Sequence, residues 1–137
     1  DTEPLKRVTP YATVYPPGAN LDELTERLYI AISRGVKAVK IEEWPGQFAN
    51  VDLETDVAVI EKARSIIGPK RDLMIDVQNR WRDVGQAIQT IDAIEEFSPY
   101  FIEAPLAAAT NSPIYYAVEN WESFSQAQFV QVVCMKY

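Results

Sequence analysis

The chain contains no histidine. That removes the commonest general base near neutral pH and the commonest transition-metal ligand. There is one cysteine, Cys134, so no internal disulfide can form and no zinc-type Cys cluster exists. A reducing compartment suits such a chain, and a cytoplasmic location is expected. No stretch reaches the ~18 apolar residues that a spanning helix needs, and no membrane partner is expected. The opening "DTEPLKRVTP" (residues 1–10) is polar and acidic, unlike a signal peptide. It has no initiating methionine, so further chain upstream is expected. Basic residues are also scarce: 13 Lys and Arg stand against 20 Asp and Glu, a net charge of −7. Nucleic acid is therefore not an expected partner, because its recognition needs a basic face. No glycine-rich phosphate fingerprint follows the first β-like stretch, which weakens a dinucleotide-binding reading.

What remains is a 137-residue chain, 47% hydrophobic and 24% charged, long enough for one domain with a real core. Its pattern alternates. "VTPYATVYP" (residues 8–16) is β-branched and aromatic and runs into the turn "PPG". "ANLDELTERLYIAISRG" reads as a helix, with Asn20 as cap, Glu23 in the capping-box position, an apolar face of Leu21, Leu24, Leu28 and Ile32, and Gly35 as its stop. "VKAVKIE" (residues 36–42) is the second strand. A second helix spans about Leu53–Ile67 with Val57, Ile60, Ala63 and Ile67 on one stripe, ended by Gly68-Pro69. "DLMIDV" is the third strand. Asp83 opens a third helix, with Gln86 in the capping-box position and Val84, Ala87, Ile88 and Ile91 facing inward. "YFIEAP" (residues 100–105) is the fourth strand. "PIYYAVE" (residues 113–119) and "FVQVVCM" (residues 129–135) are candidates for a fifth and a sixth. Such β-α alternation implies parallel strands with helical crossovers, as an open doubly wound sheet or a barrel.

In parallel α/β folds the chemistry lies at the carboxyl ends of the strands. Lys40 and Glu42 end the second strand and share a face, Asp76 ends the third, Glu103 the fourth, and Glu119 the possible fifth. Acids gathered in an apolar setting repel unless a cation neutralises them. Oxygen-only ligation, with no His or Cys, suits a hard divalent ion, magnesium first.

The segments "GVKAVKIE", "LMIDVQNRW" and "YFIEAP", in this order, resemble the barrel domain of the mandelate racemase and muconate lactonizing enzyme family of the enolase superfamily. The resemblance covers about residues 11–105. It implies an incomplete TIM-type barrel of parallel (β/α) units filling residues 1–137, truncated or internally deleted and without the family's capping domain. It implies Mg²⁺ held by Asp76, Glu103 and Glu119, a small carboxylate substrate such as a sugar acid, and homo-oligomers. The expected activity is that of an isomerase or lyase, a racemase, dehydratase or cycloisomerase working by α-proton abstraction, with the metal stabilising an enediolate. Lys40 and Glu42 are the expected catalytic residues. The family's Lys-x-Lys is here Lys40-x-Glu42, so Glu42 serves as base, or Lys40 as an electrostatic clamp, or proton abstraction is lost. At the asparagine of the family's Asp-x-Asn stands Gln78, followed by Asn79. The opposite-face base has no histidine to supply it, and Lys136 is a loose substitute.

Plainer roles stand beside these. Asp76 can cap local amides, Glu103 can pair with a lysine, Glu119 can be a solvated loop acid, and Lys40 with Glu42 can form an ion pair. Trp44, Trp81 and Trp121 usually pack, and Cys134 reads as an inert thiol. Two other classes remain open. One is a non-catalytic barrel remnant acting by association through exposed strand edges. The other is a Schiff-base enzyme using Lys40 as the amine.

Overall fold

Four rows of side chains across a parallel sheet explain how this chain folds. In a computed structural model, residues 9–15, 21–42 and 52–106 are described, with the backbone of residues 128–130. The strands are β1 (Ala12–Val14), β2 (Ala38–Glu42), β3 (Asp72–Asp76), β4 (Phe101–Glu103) and β5 (Gln128–Val130). The helices are α1 (Leu21–Ser33), α2 (Leu53–Ile67) and α3 (Val84–Ile94), the last followed by a 3₁₀ turn, Glu95–Phe97. The strands lie in the order β1-β2-β3-β4-β5, each pair parallel. Among the described residues the order never reverses, so they hold no switch point of the doubly wound kind. Right-handed crossovers then place all the helices on one face, as in a barrel wall. α1 packs on α2, and α2 on α3.

Val14, Ile41, Ile75 and Ile102 are register partners in one row, and all are buried. Val39 and Leu73 form the row two residues earlier. This face meets Leu24, Leu28, Ala31, Ile60, Ala63, Ile67, Ala87, Ile91 and Ile94 from the helices in a single cluster. Burying each large aliphatic side chain is worth about 1.5–3 kcal/mol relative to leaving it exposed, so this cluster drives the fold. The opposite face carries Lys40 and Glu42, Met74 and Asp76, Phe101 and Glu103, since side chains alternate along a strand.

Local signals set the helix ends. Asp52 accepts a hydrogen bond from the Thr55 amide (2.7 Å) and starts α2. Gly68 ends it at φ 74°, a conformation that suits glycine. Asp83 accepts from the Gln86 amide (2.9 Å), while the Gln86 side chain accepts from the Arg82 amide (2.9 Å). The expected capping box is therefore present, displaced by one residue at its return bond. Asn20, the cap expected for α1, lies outside the described residues.

Three helix faces differ from the sequence expectation. In α1 the buried set is Leu24, Leu28 and Ala31, while Leu21 is exposed. In α3, Thr90 and Ile94 are buried with Ala87 and Ile91, and Val84 and Ile88 are only half-buried. In α2, Asp56 takes the inward position that Val57 was expected to hold. The sheet also differs. The neighbour of β4 opposite β3 is Gln128–Val130, not residues 113–119. The segment 113–119, expected as the fifth strand, lies outside the described residues, as do Trp44, Trp121, Cys134 and Lys136. Among the described residues no helix is long and apolar enough to cross a membrane.

Candidate functional site

The register of three strands aligns the acids at their carboxyl ends. Glu42 on β2 pairs with Asp76 on β3, and Asp76 with Glu103 on β4, so the three carboxylates form one row across the sheet. Lys40 sits two residues earlier on the same face, opposite Met74. Its ammonium rises to the acidic row, donating to Glu103 Oε2 at 2.8 Å and to Asp76 Oδ2 at 3.3 Å. The Tyr11 ring flanks it, with its centroid 6.0 Å from Lys40 Nζ. Lys40 and Asp76 are buried, at 8% and 6% exposure.

The chemistry of the group follows from this packing. Burial pulls the pKa of Lys40 down. The hydrogen bond and charge of Glu103, with the charge and hydrogen bond of Asp76, outweigh that effect and hold it above its ordinary 10.5. Lys40 is therefore an ammonium ion at neutral pH, an electrostatic clamp and not a free amine. This weighs against the Schiff-base reading, which needs a neutral amine. The partners that keep Lys40 charged are Asp76 and Glu103; the sequence suggested a lysine partner for Glu103 but named Glu42 as the partner of Lys40. Glu42 itself is raised above its ordinary 4.5, first by burial, then by the charge of Asp76, with Lys40 opposing and Glu103 adding to the rise. A carboxylate so raised is a stronger base than a solvated one.

Asp76 is held from its own loop as well. The Gln78 backbone amide donates to Oδ1 at 3.1 Å, and Gln78 Nε2 donates to Oδ2 at 3.0 Å. The loop that carries Gln78 continues the strand pairing. The amides of Val77, Asn79 and Trp81 donate to the carbonyls of Glu103, Ala104 and Pro105 at 2.9, 2.7 and 3.1 Å. The Trp81 indole N–H then donates to Asp56 Oδ2 at 3.0 Å, joining this loop to the first turn of α2.

Of the five expected site residues, the structure brings Lys40, Glu42, Asp76 and Glu103 onto one face at one end of the sheet. Glu119 lies outside the described residues. Among the described residues no group of three Asp, Glu, Cys or His side chains is gathered as a metal-ligand set. Asp76 and Glu103 do converge on one cation, the Lys40 ammonium. Both offer carboxylate oxygens, the donor type of a hard divalent ion, and so they fit as two of its ligands. Sequence reasoning missed the bonds from Gln78 and the Asp56–Trp81 strut. The second had a signal: Asp56, Ile60, Ala63 and Ile67 are spaced 4, 3 and 4 apart, the period of one helix face.

The fold and the site together define a barrel-wall α/β protein with a carboxylate cluster at the carboxyl ends of its strands. A family model described as enolase C-terminal domain-like matches residues 23–124, and the chain belongs to that family, within the enolase superfamily and alongside the mandelate racemase and muconate lactonizing proteins. Mitochondrial enolase superfamily member 1 of Bos taurus is 39% identical over 54 residues, which make up 39% of this chain and 12% of the relative. The 3,6-anhydro-D-galactonate cycloisomerase of Zobellia galactanivorans has a similar structure, with a TM-score of 0.73 and 25% identity over 93% of this chain and 32% of its own. A mandelate racemase/muconate lactonizing protein of Paracoccus denitrificans, solved with magnesium, has a TM-score of 0.63 and 26% identity over 72% of this chain and 27% of its own. The chain thus spans about a third or less of these solved relatives.

Proposed function

We propose that this chain is the barrel portion of a magnesium-dependent isomerase or lyase, of racemase or sugar-acid dehydratase type. It acts on a small carboxylate by removing the proton α to the carboxyl group. The observation that carries this reading is the row Glu42–Asp76–Glu103, in register at the strand ends with Lys40 bridging its last two members. A relative acting on 3,6-anhydro-D-galactonate, a sugar acid, and one bound to magnesium support it.

Asp76 and Glu103 hold the ion, with Glu119 as a third ligand. When bound, the ion offsets negative charge that develops on the substrate carboxylate. Lys40, as an ammonium, orients the substrate carboxylate and adds to the same stabilisation. Glu42, at the end of β2 in register with Asp76 and with its pKa raised first by burial, takes the α-proton. Assembly as a homo-oligomer and a cytoplasmic setting belong to the same proposal.

The test is exchange of the α-proton into D₂O, followed by NMR on a panel of aldonic and aldaric acids with Mg²⁺. The expected result is exchange of at least one acid by the protein and its loss in Glu42→Gln. No exchange with any acid, in a protein that binds Mg²⁺, would favour a non-catalytic role through association.

A further inference from the structure

We infer that Gln78 is a positioning residue that sets the orientation of the Asp76 carboxylate for a divalent cation. The inference rests on the metal reading above and extends it to a residue that reading leaves without a role.

The Asp76 carboxylate stands at the end of β3, where a turn is free to leave its plane unfixed. Here one residue fixes both oxygens: the Gln78 backbone N–H reaches Oδ1 at 3.1 Å and the Gln78 side-chain amide reaches Oδ2 at 3.0 Å. Two donors on the two oxygens of one carboxylate define its plane as well as its position. A carboxylate has about four lone-pair sites. Gln78 takes two and Lys40 one, which leaves an acceptor site on Asp76 for a cation.

The backbone is shaped for this grip. Gln78 and Asn79 both lie in the left-handed region, at φ 58° and 60°. Neither is glycine, and such conformations persist only where the surroundings hold them. The surroundings do so from two sides. The Asn79 amide donates to the Ala104 carbonyl at 2.7 Å and the Trp81 amide to the Pro105 carbonyl at 3.1 Å. From α2, Asp56 accepts from the Trp81 indole at 3.0 Å. The turn is thus anchored to β4 and to α2, and it curls the Gln78 amide back onto Asp76. Partners that orient a metal-ligating group in this way typically change affinity 10–100-fold when removed.

The test is Gln78→Met in the full chain. The side chain is exposed and keeps its length, and the backbone N–H is untouched, so only the Nε2 donor is lost. Mg²⁺ titration calorimetry and thermal melting are run on both proteins. The inference expects Mg²⁺ binding at least about 10-fold weaker in Gln78→Met, with an unchanged melting temperature. Binding within twofold of the parent would overturn it while leaving the metal reading in place. Weaker binding matched by a lowered melting temperature would also overturn it, because the role would then be structural. A parent protein that binds no Mg²⁺ would remove the metal reading and this inference together.

Discussion

Lys40 Nζ lies 2.8 Å from Glu103 Oε2, across three strands and 63 residues of chain. With Asp76 at 3.3 Å, this ammonium bridges two adjacent carboxylates that the sheet register forces together and offsets one of their two charges. Without it, like charges would face one another in a largely buried place. Lys40→Met is therefore expected to destabilise the fold by about 3 kcal/mol, as when one partner of a buried pair is removed. Urea unfolding measures this, and added Mg²⁺ should recover part of the loss if the ion takes over the neutralising role.

The same pair sets an alkaline limit. The folded protein holds the pKa of Lys40 above 10.5. A raised lysine contributes stability that is whole below the unfolded value and fades as pH rises through the folded one. Melting temperature should fall more steeply above about pH 10.5 in the parent than in Lys40→Met.

Asp56 predicts a loss of the same sign, also on rising pH, but at the acid end of the scale. Burial raises its pKa above the ordinary 3.8, against the Trp81 hydrogen bond and the charge of Arg80. In the folded state it holds its proton more tightly than in the unfolded state. Its contribution is therefore largest at acid pH and declines as pH climbs from 3.8 through the higher folded value. Asp56→Asn keeps an acceptor for the Trp81 indole and should flatten this slope in melts run upward from the ordinary 3.8. Asp56→Leu should cost about 1–3 kcal/mol, because it strands a buried N–H.

Arg64 supports the other end of the sheet. Its guanidinium donates to the carbonyls of Phe97, Gly68, Arg71 and Ser98 at 2.7 to 3.0 Å. It ties the end of α2 to the turn after α3. Arg64→Met should lower stability by about 3 kcal/mol through unpaired carbonyls. Arg64→Lys should recover little, since one ammonium cannot span the same fork. Urea midpoints check both, and Mg²⁺ affinity should not move.

The parts of the fold that sequence reading reached are those with local causes. β2, β3, α2 and the Asp83 cap follow from apolar period and capping chemistry within a dozen residues. Placing Lys40, Glu42, Asp76 and Glu103 together needed only the rule that parallel strands gather their carboxyl ends. What escaped depends on contacts distant in sequence. Asp56 was given no role, because its partner, Trp81, lies 25 residues on. The pairing of Glu103 with a lysine was anticipated, but Asp76 was missed as a partner of Lys40, because a neighbour in sequence, Glu42, stood in for a neighbour in space. β5 was expected one place further from β4, because the alternation of elements fades after Pro105 and leaves no local signal of which strand pairs next.

The central claim is that Asp76 and Glu103 converge to hold a divalent ion, and calorimetric titration of Mg²⁺ into the parent protein and Asp76→Asn tests it most directly. The account predicts saturable heat in the parent and its loss in the variant, with both proteins folded by circular dichroism. Equal heats in the two proteins would contradict it.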